Sequence, residues 1–199
     1  MVNEKKIIGL TGIYCAGKNH VAQILEKRGF PVLDVDKLGH LVIESEREPI
    51  IFRFGNDILT QDGHIDRKKL GAKVFGRPEE MAALEEIIHP AANRETLAWI
   101  SGCKEKTLVI NAALLHRAPV PGGHKAIILV EAPVLTRLFR ARKRDRLPWK
   151  ALFRRFSSQR NFSSQYSGKN TDIYRVKNRF SSKKLERRVD EILSLLGIR

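Results

Sequence analysis

The segment IIGLTGIYCAGKNHVAQIL, from Ile7 to Leu25, combines an apolar run, a glycine-bounded loop and an amphipathic helical pattern. The run Ile7–Leu10 is typical of a buried strand, and Val21, Ile24 and Leu25 fall on one face of the helix that follows the loop. A strand, a loop and a helix in this order form the context that a phosphate-binding loop requires. We therefore predict that the loop binds phosphate groups.

The loop contains the complete pattern G-x-x-x-x-G-K, from Gly12 to Lys18. Its two glycines allow tight turns that expose successive N–H groups, and the start of the helix adds a partial positive charge. Lys18 supplies a point charge for the β- and γ-phosphates of a nucleotide. The predicted nucleotide-binding residues of this segment are Gly12, Cys15, Ala16, Gly17, Lys18, Asn19 and His20.

One position departs from the usual loop pattern, because Asn19 stands where a Ser or Thr commonly follows the lysine. That hydroxyl usually binds Mg²⁺, a metal that prefers oxygen ligands. The side-chain carbonyl of Asn19 is an oxygen ligand that can replace it, directly or through a water molecule. The alternative is a loop that has lost its catalytic role. We predict that Asn19 is a metal ligand and that the loop still binds phosphate.

The chain of 199 residues is strongly basic, with a net charge of +15. Between Arg137 and Arg160 there are ten Lys or Arg residues and one acidic residue, Asp145. This concentration of charge is typical either of a nucleic-acid surface or of a site for a highly anionic small molecule.

The sequence contains neither a stretch of membrane-spanning length nor, in residues 1–6, the apolar region of a signal peptide. Its two cysteines, Cys15 and Cys103, are too few for a disulfide framework. We therefore expect a cytoplasmic protein with reduced thiols and no membrane partner.

Two acids follow the second predicted strand, Val32-Leu33, in the sequence Asp34-Val35-Asp36. Ligands of open α/β sheets bind beyond the carboxyl ends of the strands, so these acids are candidates for the reaction centre. Either acid is also a suitable N-cap for the helix that follows. One acid can cap the helix while the other faces the reaction centre.

The middle of the chain, residues 52–98, has a helical pattern that is separate from the strands. Pro78 is typical of the start of a helix, and His89-Pro90 predicts the end of that helix, because the residue before a proline is biased away from helical geometry. Apolar runs at 107–110 and 126–130, and a further strand pattern at 172–176, predict a mostly parallel, doubly wound sheet. Residues 147–169 are basic and weakly apolar, which is typical of a mobile lid over phosphates or of a solvated basic helix.

The order of motifs along most of the chain resembles that of the dephospho-coenzyme A kinases. The loop motif opens this series, and a G-x-x-V-x-D-A-D-like segment with a following histidine continues it. The matching segments are Ile8–Gly12 with Gly17-Lys18, Gly29–Asp36 with His40, Phe54-Gly55, Ile58-Leu59, Asp62-Gly63, Asp66–Leu70, Val74-Phe75 and His89-Pro90. Two segments depart from the family: Ala113–Arg117 stands in place of P-L-L-F-E, and Val176–Arg179 in place of D-N-N-G.

The resemblance implies an α/β P-loop kinase with a parallel doubly wound sheet, a helical substrate-binding insertion and a basic lid. In a single domain of residues 1–199, the core would comprise residues 1–36, 104–146 and 170–199. The acceptor-binding insertion would span about 37–103 and the lid about 147–169.

The activity that the resemblance implies is Mg²⁺-dependent transfer of the γ-phosphate of ATP to the 3′-hydroxyl of dephospho-coenzyme A, the last step of coenzyme A synthesis. Carried over by position, Asp36 is the general base, Asp34 lies near the metal and Lys18 is catalytic. Further nucleotide contacts would come from Arg140, Arg144 and Asn178, with Arg155 and Gln159 matching an R-x-x-x-Q motif. The acceptor would contact Asp36, His40, His89 and Leu114, although a histidine such as His89 is also common as a capping or packing residue.

Two alternatives stay open on the sequence. A P-loop kinase for another small acceptor, such as a nucleoside, has the same fold. A nucleic-acid-binding P-loop protein would use the basic stretch to follow a phosphate backbone, although recognition motifs and interleaved stacking aromatics are missing from the sequence. We expect dephospho-coenzyme A as the partner, no nucleic acid, and a monomer or weak homo-oligomer.

Overall fold

The structure is a computed structural model that describes residues 5–118, 120–145, 148–157, 171–179 and 181–198. Gln159 and residues 158–169 of the predicted lid lie outside the described residues, as does the side chain of Arg155. The chain divides into two compact units, of which the first comprises Met1–Leu33 with Cys103–Arg199 and the second comprises Asp34–Gly102.

The described strands and helices alternate along much of the chain. The strands are β1 (Lys6–Gly12), β2 (Val32–Asp34), β3 (Thr107–Asn111), β4 (Ala126–Glu131) and β5 (Asp172–Lys177). The helices are α1 (Lys18–Lys27), α2 (Val35–Ser45), α3 (Arg47–Phe54), α4 (Arg67–Val74), α5 (Pro78–Gly102), α6 (Val134–Asp145), α7 (Trp149–Ser157) and α8 (Ser182–Leu195).

The five strands form one parallel sheet in the order β2-β3-β1-β4-β5. β1 is the central strand, and its Leu10 lies opposite Asn111 of β3 and Ile128 of β4. The order places the loop after β1 in the middle of the sheet edge where the parallel strands end. The predicted parallel α/β fold is confirmed, and each predicted apolar run forms a strand.

The core of the first unit lies between the sheet and two helices, α1 and α8. Their buried residues include Val21 and Leu25 of α1 and Val189 and Ile192 of α8, which pack with Ile8 of the central strand. The loop at the start of α1 is therefore held by a helix and a strand that are both packed in the core.

A short 3₁₀ turn, Leu115–Arg117, follows β3.

The second unit has an apolar core of its own. Its buried residues come from α3, α4, α5 and the segments between them: Ile50, Phe54, Ile58, Ile65, Leu70, Val74 and Leu84. Val42 of α2 packs with Ala91 and Ala92 of α5 in a second cluster. Asp66 caps α4, since its Oδ1 accepts hydrogen bonds from the backbone N–H groups of Lys68 and Lys69.

The predicted end of a helix at His89-Pro90 is wrong. α5 continues through Pro90 to Gly102. An internal proline costs a helix about 3 kcal/mol. Beyond Pro90, Ala91, Ala92, Thr96 and Ile100 are buried, so packing of this continued face offsets that cost.

Within the described parts of the chain, every helix is too short or too polar to cross a membrane.

Candidate active site

The loop between β1 and α1 has a backbone that its glycines make possible. Gly17 is the N-cap of α1 and has a φ of 93°, in the left-handed region. Gly12 lies so close to β4 that a Cβ atom there would be 2.7 Å from the carbonyl oxygen of Val130. A side chain at either position would therefore displace the loop from its place above the sheet.

The carbonyl oxygen of Ala16 accepts two side-chain hydrogen bonds. Arg140 of α6 donates through Nη1 at 3.0 Å, and Asn178, directly after β5, donates through Nδ2 at 2.8 Å. A carbonyl oxygen has two lone pairs, and these donors engage both. Two residues that are far from the loop in sequence thus fix the orientation of a loop peptide.

Asn178 is itself held by two further hydrogen bonds. Its backbone N–H donates to the carbonyl oxygen of Glu131 at 2.7 Å, and its Oδ1 accepts from Nη2 of Arg140 at 3.3 Å. A Cβ atom on Gly17 would overlap Nδ2 of Asn178. Asn178, predicted to contact the nucleotide, is buried and bonded to the loop backbone.

A second group of side chains surrounds Tyr14 of the loop. Arg144 forms a two-pronged ion pair with Asp145, with Nε–Oδ1 at 2.6 Å and Nη2–Oδ2 at 3.2 Å. The Tyr14 hydroxyl donates to the same carboxylate, and the Arg144 guanidinium lies 5.2 Å from the centre of the Tyr14 ring. The hydrogen bond with Asp145 raises the pKa of Arg144, so this arginine remains charged beside the loop.

Arg137 is a buried cation on the inner face of α6. Its guanidinium lies 4.6 Å from the centre of the Phe156 ring, and Phe156 packs edge-on against Tyr14 at 5.6 Å between ring centres. Burial lowers the pKa of Arg137. Helix α7, which lies in the first half of the predicted lid, is therefore in contact with the phosphate-binding loop through Phe156.

Cys15 lies in the same loop with a φ of 59°. Burial raises the pKa of its thiol above the usual value, although the nearby Arg144 acts in the opposite direction. The thiol is consequently protonated at neutral pH, which makes it a poor nucleophile.

The start of α1 carries Lys18, Asn19 and His20. Lys18 is partly exposed as the first residue of the helix, and Asn19 is exposed. The Oδ1 atom of Asn19 lies 3.5 Å from Nδ2 of Asn111, the last residue of β3. The His20 ring is 3.2 Å from the Ser182 hydroxyl of α8, so its side chain is engaged with that helix.

The predicted acceptor-binding residues fall in both units. Leu114 is exposed and precedes the 3₁₀ turn after β3 in the first unit. Asp34, Asp36, His40 and His89 belong to the second unit, where Asp34 caps α2 by accepting from the backbone N–H of Lys37 at 3.1 Å. Asp36 and His40 are exposed on α2, and His89 is exposed on α5.

Three residues around the loop were not predicted as site residues from the sequence, namely Tyr14, Arg137 and Asn111. Tyr14 and Arg137 are brought together by the packing of α6 and α7, which the local pattern does not reveal. Asn111 could have been predicted as a site residue, because it is a polar residue at the carboxyl end of an apolar strand.

The central phosphate-binding loop, the parallel sheet order and the cations on α6 define the class of protein, a P-loop kinase. The chain belongs to the dephospho-CoA kinase family, whose family model (CoaE) matches residues 6–175.

Individual relatives agree with this assignment. The chain is 32% identical to a dephospho-CoA kinase of Treponema pallidum, over 96% of each protein. It is 33% identical to a dephospho-CoA kinase of Thermosynechococcus vestitus, over 96% of this chain and 94% of the relative. The solved structure of TT1252 from Thermus thermophilus superposes with a TM-score of 0.82 at 28% identity, over 97% of this chain and 98% of that one.

Proposed function

We propose that the protein transfers the γ-phosphoryl group of ATP to the 3′-hydroxyl of dephospho-coenzyme A, giving coenzyme A and ADP. The observation that carries the proposal is membership of the dephospho-CoA kinase family over residues 6–175. The relatives of that name match nearly the full length of this chain, which supports the same reaction. A nucleoside kinase and a nucleic-acid-binding protein are not favoured.

The loop supports binding of the triphosphate. The Ala16 carbonyl is turned toward Arg140 and Asn178, so this oxygen does not face the bound phosphates. Lys18 would neutralise the charge of the β- and γ-phosphates at the start of α1, and Arg140 and Arg144 would add positive charge. In phosphoryl transfer most of the rate enhancement comes from such alignment and charge neutralisation.

Mg²⁺ fits the oxygen atoms near the start of α1. Asn19 offers an amide oxygen, and the Oδ1 atom of Asn111 is buried without a hydrogen-bond partner in the described structure. No cluster of three or more His, Cys, Asp or Glu side chains suited to a metal occurs among residues that the structure describes. The phosphates and water would then supply most ligands, and Mg²⁺ would neutralise the charge that develops on the transferred group. Asp34 is the second candidate for a protein ligand.

The acceptor role falls to Asp36 rather than Asp34. The resemblance assigns this role to Asp36, which is exposed in the first turn of α2, and assigns Asp34, whose carboxylate caps the same helix, to the neighbourhood of the metal. We assign Asp36 the role of orienting the ribose hydroxyl and accepting its proton. His40, His89 and Leu114 would contact the acceptor, residues 37–103 would form the acceptor-binding insertion and residues 147–169 the lid.

The test is a steady-state assay with ATP, Mg²⁺ and dephospho-coenzyme A, in which mass spectrometry identifies the product. We expect coenzyme A and ADP in equal amounts, with Lys18→Ala as the inactive control. Adenosine and other nucleosides serve as competing acceptors. A higher kcat/KM for a nucleoside than for dephospho-coenzyme A would refute the proposed substrate.

Binding of nucleic acid to the basic stretch, residues 137–160, is a second, independent measurement. We expect RNA and DNA to bind weakly and without competition by ATP. Tight, strongly salt-dependent RNA binding that ATP displaces would instead favour the nucleic-acid alternative. We also propose a monomer or weak homo-oligomer in the cytoplasm, which sedimentation of the purified protein and fractionation of cells would test.

A further inference from the structure

The phosphate-binding loop contains a tight turn over residues 13–16. The backbone N–H of Ala16 donates to the carbonyl oxygen of Ile13 at 2.9 Å, which closes the turn. Cys15, the third residue of the turn, has a φ of 59°. A positive φ at this position alone is typical of a type II turn, in which the third residue is usually glycine. A residue with a side chain therefore occupies a position where the backbone conformation is unfavourable for it.

Type I and type II turns differ mainly in the orientation of one peptide group, the one between the second and third residues. In this loop that peptide group joins Tyr14 to Cys15. In a type I turn the φ of Cys15 would be about −90°, which a residue with a side chain adopts without strain. The observed orientation persists because a neighbouring contact holds this peptide group.

Arg137 of α6 supplies the contact. Its Nη1 atom donates to the carbonyl oxygen of Tyr14 at 3.5 Å, and this oxygen belongs to the peptide group that differs between the two turn types. The Arg137 guanidinium also lies over the Phe156 ring of α7, 4.6 Å from the ring centre. Arg137 is therefore held between α7 and the turn.

The burial of Arg137 argues against a role in stabilising the fold. The residue is 7% exposed, and its Nε atom is buried without a hydrogen-bond partner among the described atoms. Within the described parts of the chain, no acid forms an ion pair with Arg137, and Asp145, the acid that contacts Tyr14, is paired with Arg144. A buried cation without a paired acid costs stability.

The contact with Arg137 decides which way the backbone N–H of Cys15 points. The C=O of one residue and the N–H of the next point in opposite directions in a trans peptide group. Because the Tyr14 carbonyl is turned toward α6, the N–H of Cys15 is turned away from that helix. The Ala16 carbonyl is turned toward Arg140 of α6, so the N–H of Gly17 is turned away as well. Backbone N–H groups that share one side of a loop form a site for an anion.

We infer that Arg137 is a positioning residue that turns the backbone N–H of Cys15 toward the phosphates of ATP. It acts by holding the peptide group between Tyr14 and Cys15 in the type II orientation, and it does not itself touch the nucleotide. Arg140 holds the Ala16 carbonyl in the same way. The inference rests on the ATP binding of the proposed function and does not depend on the identity of the acceptor.

Nuclear magnetic resonance can follow the N–H of Cys15 directly. The chain has two cysteines, so protein labelled with ¹⁵N-cysteine gives two amide signals, and Cys103→Ser identifies each of them. We expect ATP to shift the Cys15 signal downfield, as a hydrogen bond to phosphate does, and to leave the Cys103 signal in place. In Arg137→Met, which has a similar length and no charge, the shift at saturating ATP should be clearly smaller. An unshifted Cys15 signal in the wild type would overturn the inference without any variant.

Calorimetry measures the affinity for ATP. We expect Arg137→Met to weaken ATP binding by about 3- to 10-fold, the effect of one hydrogen bond. Arg142→Met is the matched control, because Arg142 is exposed on the same helix and its removal changes the net charge equally. Arg137→Lys keeps a charged donor and should bind ATP with an affinity between those of the wild type and Arg137→Met. Equal losses in Arg137→Met and Arg142→Met would contradict the inference.

Cys15→Gly tests whether Arg137 acts through the turn. Glycine adopts a positive φ without strain, so the type II turn no longer depends on the arginine. In the Cys15→Gly background, Arg137→Met should therefore change the ATP affinity by less than about twofold. The same loss in both backgrounds would show that Arg137 acts through its charge alone, and the inference would fail.

Thermal unfolding of the ligand-free protein distinguishes this role from a structural one. Removal of a buried cation that has no acid partner should leave the Tm of Arg137→Met equal to or above that of the wild type. A structural arginine predicts a lower Tm with unchanged ATP affinity, and that pair of results would overturn the inference. If Arg137→Met does not fold, Arg137→Gln, which is neutral but polar, takes its place with the same expected losses of affinity and of the Cys15 shift.

The readouts separate this inference from the proposed function. If the wild type binds ATP but does not phosphorylate dephospho-coenzyme A, the proposed acceptor is wrong, and the Cys15 signal and the affinities still decide the role of Arg137. If the wild type makes coenzyme A and Arg137→Met keeps the wild-type affinity and the wild-type Cys15 shift, the inference alone fails.

Discussion

Replacement of Arg140 by alanine should lower kcat/KM for ATP by about 10- to 150-fold. Arg140 donates to the carbonyl oxygens of Ala16 and Arg179 and to Oδ1 of Asn178, at distances of 3.0 to 3.3 Å. A hydrogen bond from a charged donor contributes about 1.5–3 kcal/mol, and about 1.4 kcal/mol corresponds to a factor of ten in rate. Because Asn178 still bonds to Ala16 at 2.8 Å, we expect the loss of one of the two hydrogen bonds that hold the loop carbonyl rather than collapse of the loop.

Arg140→Lys and Lys143→Ala are the matched controls. Lysine keeps the charge but cannot reproduce the fork of donors that reaches Ala16 and Asn178 together, so Arg140→Lys should fall between the wild type and Arg140→Ala. Lys143 is exposed on the same helix, and its removal changes the net charge equally. A steady-state assay across ATP concentrations measures all three variants. If Arg140→Ala and Lys143→Ala lose activity equally, overall charge rather than the contact with Ala16 is responsible, and the reasoning fails.

Substitutions at Lys18, at the two acids and at Asn19 test the remaining assignments. Lys18→Ala should reduce kcat by at least about 100-fold with an unchanged Tm, because the side chain acts on phosphate charge, and near-normal turnover would remove the loop from the mechanism. Asp36→Asn should reduce kcat by about 10²- to 10⁴-fold with little change in ATP affinity by calorimetry. Asp34→Asn preserves a good helix cap and serves as the comparison, and a larger kcat loss there would reverse the two roles. Asn19→Leu should raise the Mg²⁺ concentration for half-maximal activity while Asn19→Ser does not, and equal Mg²⁺ titrations would exclude Asn19 as a ligand.

The sheet and the loop could be predicted because their signals are local. β3 and β4 are short apolar runs. The loop after β1 has a pattern whose two glycines lie where a side chain would clash with neighbouring atoms. The helix end at Pro90 could not be predicted, because the burial of Ala91 and Ala92 against α2 depends on contacts between distant segments. A local preference of a few kcal/mol was outweighed by packing that the local pattern does not contain.

The side-chain contacts of the loop were harder to predict from the sequence. Resemblance placed Arg140 and Asn178 at the nucleotide. In the structure both bind the Ala16 carbonyl, since the strand order places β4 beside β1 and β5 beside β4. Arg137 looked like one of many basic residues, and only the structure shows it buried against Phe156. Charge counts predict the composition of a surface but not which cation faces inward.

The division of the chain into two compact units gives each unit its own fluorescent reporter. The protein has two tryptophans, of which Trp99 lies on α5 in the second unit and Trp149 begins α7 in the first. Trp149 is half exposed, and the Arg142 guanidinium lies 5.5 Å from its ring centre. Its emission will therefore respond to rearrangement at the start of α7, within the basic stretch of residues 137–160. Emission from Trp99→Phe and Trp149→Phe proteins in a urea titration would follow the units one at a time. Coincident curves would identify a single cooperative transition, and separate curves would reveal two.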